Sequence, residues 1–335
     1  MSPSNPSRRE VLQAGAAGLA ALSIGGGAFA AEEKNEQGIP MRPLGKTGVK
    51  VSLLALGGHH STRAREEKES LRLIQRAVDE GVTFLDNAWD YHNGGAEERM
   101  GKALEEGKLR DKVFLMTKVC GRTAKEAQSN LDDSLRRLRT DHIDLWQFHE
   151  INYEKDPDRV CAAEGAIEVA LKAKEQGKVR FVGFTGHRDP EVHLKMLGKP
   201  YDWATIQMPL NVLDGTFRSF QKQVLPKLVE RGIGPIAMKT LGGNGGIVSN
   251  AKIPVEQALA YVFSLPVSSV VSGMESEKIL EQNLRIVKSY ATMAADAMAA
   301  LEEKYKAAAL DGRYEGFKTT KNYDGPVHRK QQEVG

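Results

Sequence analysis

The chain has 335 residues, room for one large domain of the α/β-barrel class or for two small ones. Its hydrophobic content of 41% and charged content of 27% are ordinary for a soluble globular protein. A net charge of +3, with no basic stripe interleaved with aromatics, argues against nucleic acid or an anionic membrane as partner.

Residues 1–30 read differently from the rest. Ser7-Arg8-Arg9-Glu10-Val11-Leu12 precedes an Ala/Gly/Leu stretch from Ala14 to Phe29 that closes with Ala28-Phe29-Ala30. A charged start, a mildly apolar middle and a small-x-small end make a signal peptide. The paired arginines resemble the twin-arginine export signal. The expectation is a mature chain starting near Ala31, exported to the periplasm by the twin-arginine machinery. The apolar stretch is too weak for a comfortable membrane span, so no stable anchor is expected in the mature protein. Cys120 and Cys161 are the two cysteines, and one pair establishes no disulfide framework.

In chain order, Gly38–Val51 carries a hairpin signal, with turn glycines in Leu44-Gly45-Lys46-Thr47-Gly48-Val49. Eight strand signals follow: Leu53–Leu56, Val82–Asp86, Val113–Lys118, Ile143–Phe148, Val179–Thr185, Ala204–Met208, Gly234–Met238 and Ser269–Ser272. Helix signals come between and after them, at Glu67–Glu80, Ala96–Leu104, Ala124–Arg137, Val160–Gln176, Pro190–Leu197, Phe217–Arg231, Pro254–Ser264 and Ser276–Ser289. The apolar runs lack strict alternation, as expected of parallel strands covered on both faces. Eight βα units with no Gly-x-Gly-x-x-Gly after the first strand predict a closed (β/α)8 TIM barrel rather than a dinucleotide-binding open sheet. The barrel domain is placed at residues 38–310, ending in an Ala-rich helix, 291–310. Residues 311–335 form a polar tail, with its place over the barrel mouth or in solvent left open.

Parallel strands end on one face, so residues at those ends can converge. Asp86, Tyr91, Lys118 and His149 lie at or just past three such ends. A carboxylate, a phenol, an ammonium and an imidazole make a proton-transfer set. A nearby ammonium favours a phenolate over a phenol, a carboxylate can hold the ammonium, and the imidazole can donate to a carbonyl.

The run Phe84-Leu85-Asp86-Asn87-Ala88-Trp89-Asp90-Tyr91, with Glu97 and Met100-Gly101, resembles the aldo-keto reductase signature around its catalytic Asp and Tyr. Leu131-Asp132-Asp133-Ser134-Leu135-Arg136-Arg137-Leu138, then Asp141, Ile143-Asp144-Leu145 and His149, resembles the segment leading to that family's catalytic His. Lys118 closes its strand as the family lysine does, and Gln207, Asn211, Gly273 and Asn283 match cofactor-side motifs. The resemblance spans roughly Arg42 to Val287. It implies an NAD(P)-dependent oxidoreductase acting on a carbonyl or alcohol, with Asp86, Tyr91, Lys118 and His149 catalytic.

The same resemblance places Gly57, Thr185, Gln207, Met238, Lys239, Leu241, Gly243, Gly273, Glu275, Lys278 and Asn283 at the cofactor. Three positions depart from the family pattern. Gly186 stands where an Asn amide is usual, and Met238 where an aromatic is common. Glu275 stands where many members hold an arginine for the adenosine 2′-phosphate, with Lys278 close by. NAD and NADP both stay open, and Glu275 leans the choice toward NAD. His59, His60, Trp89 and His92 are assigned to the substrate pocket, whose polar character fits a hydroxylated, sugar-like compound.

Five histidines at the proposed strand ends and βα loops, His59, His60, His92, His149 and His187, support an alternative, a metal-dependent barrel hydrolase or isomerase, although no His-x-His or His-Glu-x-x-His spacing occurs. A redox-silent binding protein on the same barrel is a third class. An exported nicotinamide enzyme also needs its nucleotide to travel with it, so tight retention is expected.

Overall fold

The structure is a computed structural model that describes residues 32–64 and 66–333. The leader, with its paired arginines and cleavage site, lies outside the described residues. Strands β1 (Met41–Pro43) and β2 (Lys50–Ser52) form an antiparallel hairpin. Gly45 at its turn has φ 54°, and a Cβ there would sit 2.4 Å from the Gly234 nitrogen, so only glycine allows this approach. Leu44, Val49 and Val51 of the hairpin pack with Ala55, Phe84, Phe114, Met116, Leu145 and Ile236. That apolar plug fills the barrel interior at its N-terminal end.

Eight strands follow: β3 (Leu54–Gly57), β4 (Phe84–Asp86), β5 (Phe114–Val119), β6 (Ile143–Phe148), β7 (Val179–Thr185), β8 (Thr205–Pro209), β9 (Gly234–Met238) and β10 (Ser269–Gly273). Each pairs in parallel with the next, and β10 pairs with β3 from Val270–Leu54 to Gly273–Gly57, closing the barrel. The outward side chains of the strands join the helices in a second apolar layer that includes Leu56, Leu85, Leu115, Trp146 and Phe184. Two apolar layers explain why the strands read as continuous rather than alternating runs.

Two expected helices are broken. Val160–Gln176 divides into Asp156–Val160 and Ala166–Glu175, because Gly165 packs where a Cβ would meet the Val160 carbonyl at 2.5 Å. Phe217–Arg231 divides into Phe220–Gln223 and Leu225–Arg231, where Pro226 opens the second piece. Among the described residues no helix is long and apolar enough to cross a membrane.

The largest addition to the expected picture is the tail. After the helix Ala295–Ala309, residues 311–333 turn back and pack on the C-terminal ends of β5 to β9. Their polar composition hides extensive burial. Lys318 is 0% exposed and donates to Asp214 at 2.6 Å, to Glu315 at 3.0 Å and to the Phe217 carbonyl at 2.9 Å. Asn211 completes this group by donating to Glu315 at 2.8 Å.

Candidate functional site

The register of β4, β5 and β6 brings their ends level, with Asp86 opposite Met116 and Lys118 opposite Gln147. The chain after β4 stays attached: Asn87 N donates to the Met116 carbonyl and Trp89 N to the Lys118 carbonyl. His92 and Asn93 then take left-handed backbone angles, φ 53° and 55°, and this bend holds Tyr91 over Lys118.

Lys118 is 1% exposed and donates to Asp86 Oδ1, to the Asn87 carbonyl at 2.6 Å and to the Tyr91 hydroxyl at 3.4 Å. The His149 ring meets the Tyr91 ring edge-on at 5.6 Å. The four expected residues therefore form one connected group, with Tyr91 between Lys118 and His149. One electrostatic expectation is reversed. Burial, reinforced by the carboxylates of Asp86, Asp90 and Glu150, pushes the Tyr91 phenol well above its usual range despite the nearby ammonium. Its resting form is the protonated acid.

The cofactor-side residues fall into two groups. Thr185 Oγ1 at the end of β7 lies 3.8 Å from Met238 Sδ, and Gln207 Oε1 at β8 is buried with no hydrogen-bond partner. These are the groups a nicotinamide carboxamide would satisfy, so the residues present fit that end of a nucleotide. Gly186 cannot be the usual Asn, because a Cβ there would lie 2.3 Å from the Ile151 carbonyl. Lys239 and Gly243 lie under the tail. Lys239 Nζ is 5.9 Å from the ring centroids of both Phe317 and Tyr323, and burial lowers its pKa. Gly243, with φ 80°, sits against the Tyr323 ring, while Leu241 packs on the core.

Around β3 and β10, a Cβ on Gly273 would be 2.5 Å from the His60 ring, and one on Gly57 would be 3.0 Å from the Ser272 carbonyl. Asn283 donates to Ser272 Oγ at 3.0 Å rather than facing outward. Glu275 lies 4.0 Å from Arg63, and Lys278 is exposed one turn along the helix Glu277–Ser289. Asn211 is spent on Glu315 and on the Leu213 amide.

His59 stands 5.1 Å from Tyr91, 5.1 Å from His60 and 4.8 Å from His92, ring to ring, so these three line the approach to the phenol. Trp89 departs from its assignment to the pocket. Its indole N–H donates to Asp133 at 3.1 Å and Arg137 lies over the ring at 5.3 Å, so it braces the helix Ala124–Leu138. His59, His60 and His92 do not converge as metal ligands; His92 Nε2 meets the His59 carbonyl instead. Those three histidines supply no metal site for the hydrolase alternative.

Several polar residues at the mouth carried no sequence signal beyond their type. Arg122 is buried and donates to the carbonyls of His149 at 2.8 Å and Glu150 at 3.0 Å, and its Nη2 meets His328 Nδ1 at 3.4 Å. Glu150 accepts the Gly325 amide at 3.0 Å. Asp324 accepts from Asn152 at 3.2 Å and from the Tyr153 hydroxyl. His328 packs edge-on to His149 at 5.1 Å. The tail thus reaches His149, one of the four residues that meet at the strand ends.

A profile of the Aldo/keto reductase family matches residues 53–254. The chain is 32% identical over 197 residues to the aldo-keto reductase YhdN of Bacillus subtilis, covering 55% of this chain and 56% of that one. It is 26% identical over 295 residues to L-galactose dehydrogenase of Arabidopsis thaliana, covering 77% and 91%. The holo structure of aldo-keto reductase AKR11C1 from Bacillus halodurans shares the fold, with a TM-score of 0.68 at 24% identity over 83% of this chain and 99% of that one. The chain spans little more than half the length of the YhdN relative. The profile match covers more than half of the chain, and the protein belongs to the aldo/keto reductase family of oxidoreductases.

Proposed function

We propose that the protein moves hydride between a nicotinamide nucleotide and a small carbonyl or alcohol, with Tyr91 as acid and base. The contact of Lys118 Nζ with both Asp86 and the Tyr91 hydroxyl carries this reading. A nicotinamide held at its carboxamide by Thr185 and Gln207 supplies the hydride chemistry when bound. Tyr91, kept protonated by its surroundings, gives its proton to the carbonyl oxygen in reduction and takes it back in oxidation. Lys118 stabilises the phenolate left behind, and Asp86 with the Asn87 carbonyl holds that ammonium in place. His149 turns Nδ1 toward Asp90 and Cys120, which leaves Nε2 for the substrate oxygen.

Replacing Tyr91 by Phe should lower kcat by about 10²- to 10⁴-fold in a spectrophotometric screen of carbonyls with NADH or NADPH. Turnover equal to wild type in a folded variant would remove Tyr91 from the mechanism.

The histidine-lined approach to Tyr91 supports a hydroxylated substrate, as does the similarity to an L-galactose dehydrogenase. Glu275 supports NAD over NADP, because a carboxylate there repels a 2′-phosphate and can accept from a ribose hydroxyl. Measured affinities for the two nucleotides test this, and a clear preference for NADP would reverse it. The arginine pair Arg8-Arg9 supports twin-arginine export with the nucleotide already bound. Mass spectrometry of the periplasmic protein should then find it. An empty protein that turns over freely on added nucleotide would count against retention.

A further inference from the structure

Four donor side chains meet at the mouth from four separate parts of the chain. Asp90 comes from the loop after β4, Cys120 from the end of β5, His149 from the end of β6 and His328 from the tail. One donor atom from each lies within 4.8 Å of the other three. His149 Nδ1 is 3.1 Å from Asp90 Oδ1 and 3.5 Å from Cys120 Sγ. Around a tetrahedral ion with bonds of about 2.0–2.3 Å, ligand atoms stand about 3.3–3.6 Å apart. The His149–Cys120 separation matches that spacing, the His149–Asp90 one is slightly shorter, and the other pairs lie within 4.8 Å.

Hydrogen bonding leaves part of the cluster unexplained. Asp90 Oδ1 accepts no aligned hydrogen bond although His149 Nδ1 is near, and His328 Nε2 is buried without a partner. His328 is 1% exposed. Its other nitrogen, Nδ1, faces both Gln331 Oε1 at 3.3 Å and Arg122 Nη2 at 3.4 Å. The neighbouring trio Glu150, His187 and Asp324 differs, because its atoms already hold the Gly325 amide, the Phe317 carbonyl and the Asn152 side chain.

We infer that Asp90, Cys120, His149 and His328 bind one zinc-class divalent cation that pins the C-terminal segment to the barrel mouth. The ligand set of one thiolate, two imidazoles and one carboxylate suits zinc or cobalt rather than magnesium or calcium. The ion is enclosed, with no open position of the hydrolytic kind. It also fixes the proton of His149 on Nε2, where the hydride-transfer reading places a donor to the substrate. Only that last consequence rests on the proposed function.

The test uses the full mature chain, purified without a metal-affinity step, stripped with chelator and titrated with Co²⁺. One equivalent should bind, with a thiolate-to-cobalt charge-transfer band and the visible bands of a tetrahedral ion, and Zn²⁺ should displace it. Cys120→Ser should remove the charge-transfer band and Cys161→Ser should keep it. His328→Asn should weaken binding more than about tenfold and speed proteolysis of the tail. Absence of a one-equivalent spectrum, or a charge-transfer band lost in Cys161→Ser and kept in Cys120→Ser, overturns the site. Should Cys120→Ser fail to fold, the wild-type and Cys161→Ser spectra still decide. Tyr91→Phe should keep the cobalt spectrum while losing turnover, which separates failure of the metal site from failure of the hydride-transfer reading.

Discussion

The barrel is closed at both ends by opposite chemistry. At the N-terminal end the hairpin presses Leu44, Val49 and Val51 onto Phe84, Phe114 and Met116, an apolar seal. At the C-terminal end the tail is held by Lys318 between Asp214 and Glu315, by Asp324 on Tyr153 and Asn152, and by Arg122 against His328. Burial of apolar area is nearly insensitive to pH and has no particular partner to lose. A polar seal is specific, and it yields when one charge changes or one partner is replaced. The end where Asp86, Tyr91, Lys118 and His149 meet has the closure that can be undone.

The largest effect separating the two ends concerns function. Tyr91→Phe should remove activity by the two to four orders of magnitude stated above and leave both closures intact, as judged by circular dichroism and tail proteolysis. Next comes Lys318→Met, which leaves two buried carboxylates without their cation and costs about 3–5 kcal/mol. Hydrogen exchange should lose protection in residues 311–333 and keep it in the barrel strands. Leu44→Ala should cost about 2–5 kcal/mol through a core cavity. Here the global unfolding midpoint should drop with no selective exposure of the tail. Equal loss of protection throughout the molecule in both variants would erase the contrast.

A pH series sharpens it further. Burial pushes the Asp214 carboxyl up to about 7, with Lys318 pulling the other way. The folded state therefore holds this proton more tightly than the unfolded chain, whose Asp titrates near about 3.9. The stabilisation is full below that value and is lost as pH rises to about 7. Tail proteolysis should speed up across this window in wild type and stay flat in Asp214→Asn. The smallest effect is at Trp89. Trp89→Phe gives up the hydrogen bond to Asp133 for about 0.5–1.5 kcal/mol and should leave KM unchanged, since the indole faces a helix. A raised KM would return Trp89 to the substrate pocket.

Most strand limits were legible because strands covered on both faces leave uninterrupted apolar runs, and Ile143–Phe148, Val179–Thr185 and Gly234–Met238 have the expected ends. The quartet was legible for a related reason. Covalent attachment to strand ends, together with a closed parallel barrel, leaves Asp86, Lys118 and His149 little choice but to converge. The helix breaks at Gly165 and Pro226 were missed because helical periodicity carries across a local turn, and steric contacts such as that of Gly165 with the Val160 carbonyl decide it. Trp89 was misread because its loop position is local, while its partners Asp133 and Arg137 lie on a helix more than 40 residues on.

The chain's own pattern determined an eightfold βα alternation, the parallel closure that follows from it, and the meeting of Asp86, Lys118 and His149 at one end. Those properties depend on period and adjacency, which a single sequence displays. Tertiary structure alone decided that a polar tail becomes a buried closure, that Arg122 meets His328 across 206 positions, and that burial makes the Tyr91 phenol hold its proton more tightly than a free tyrosine. These depend on which distant groups share a buried environment. Desolvation and pairing set charge and contact there, and neither leaves a periodic trace in the sequence.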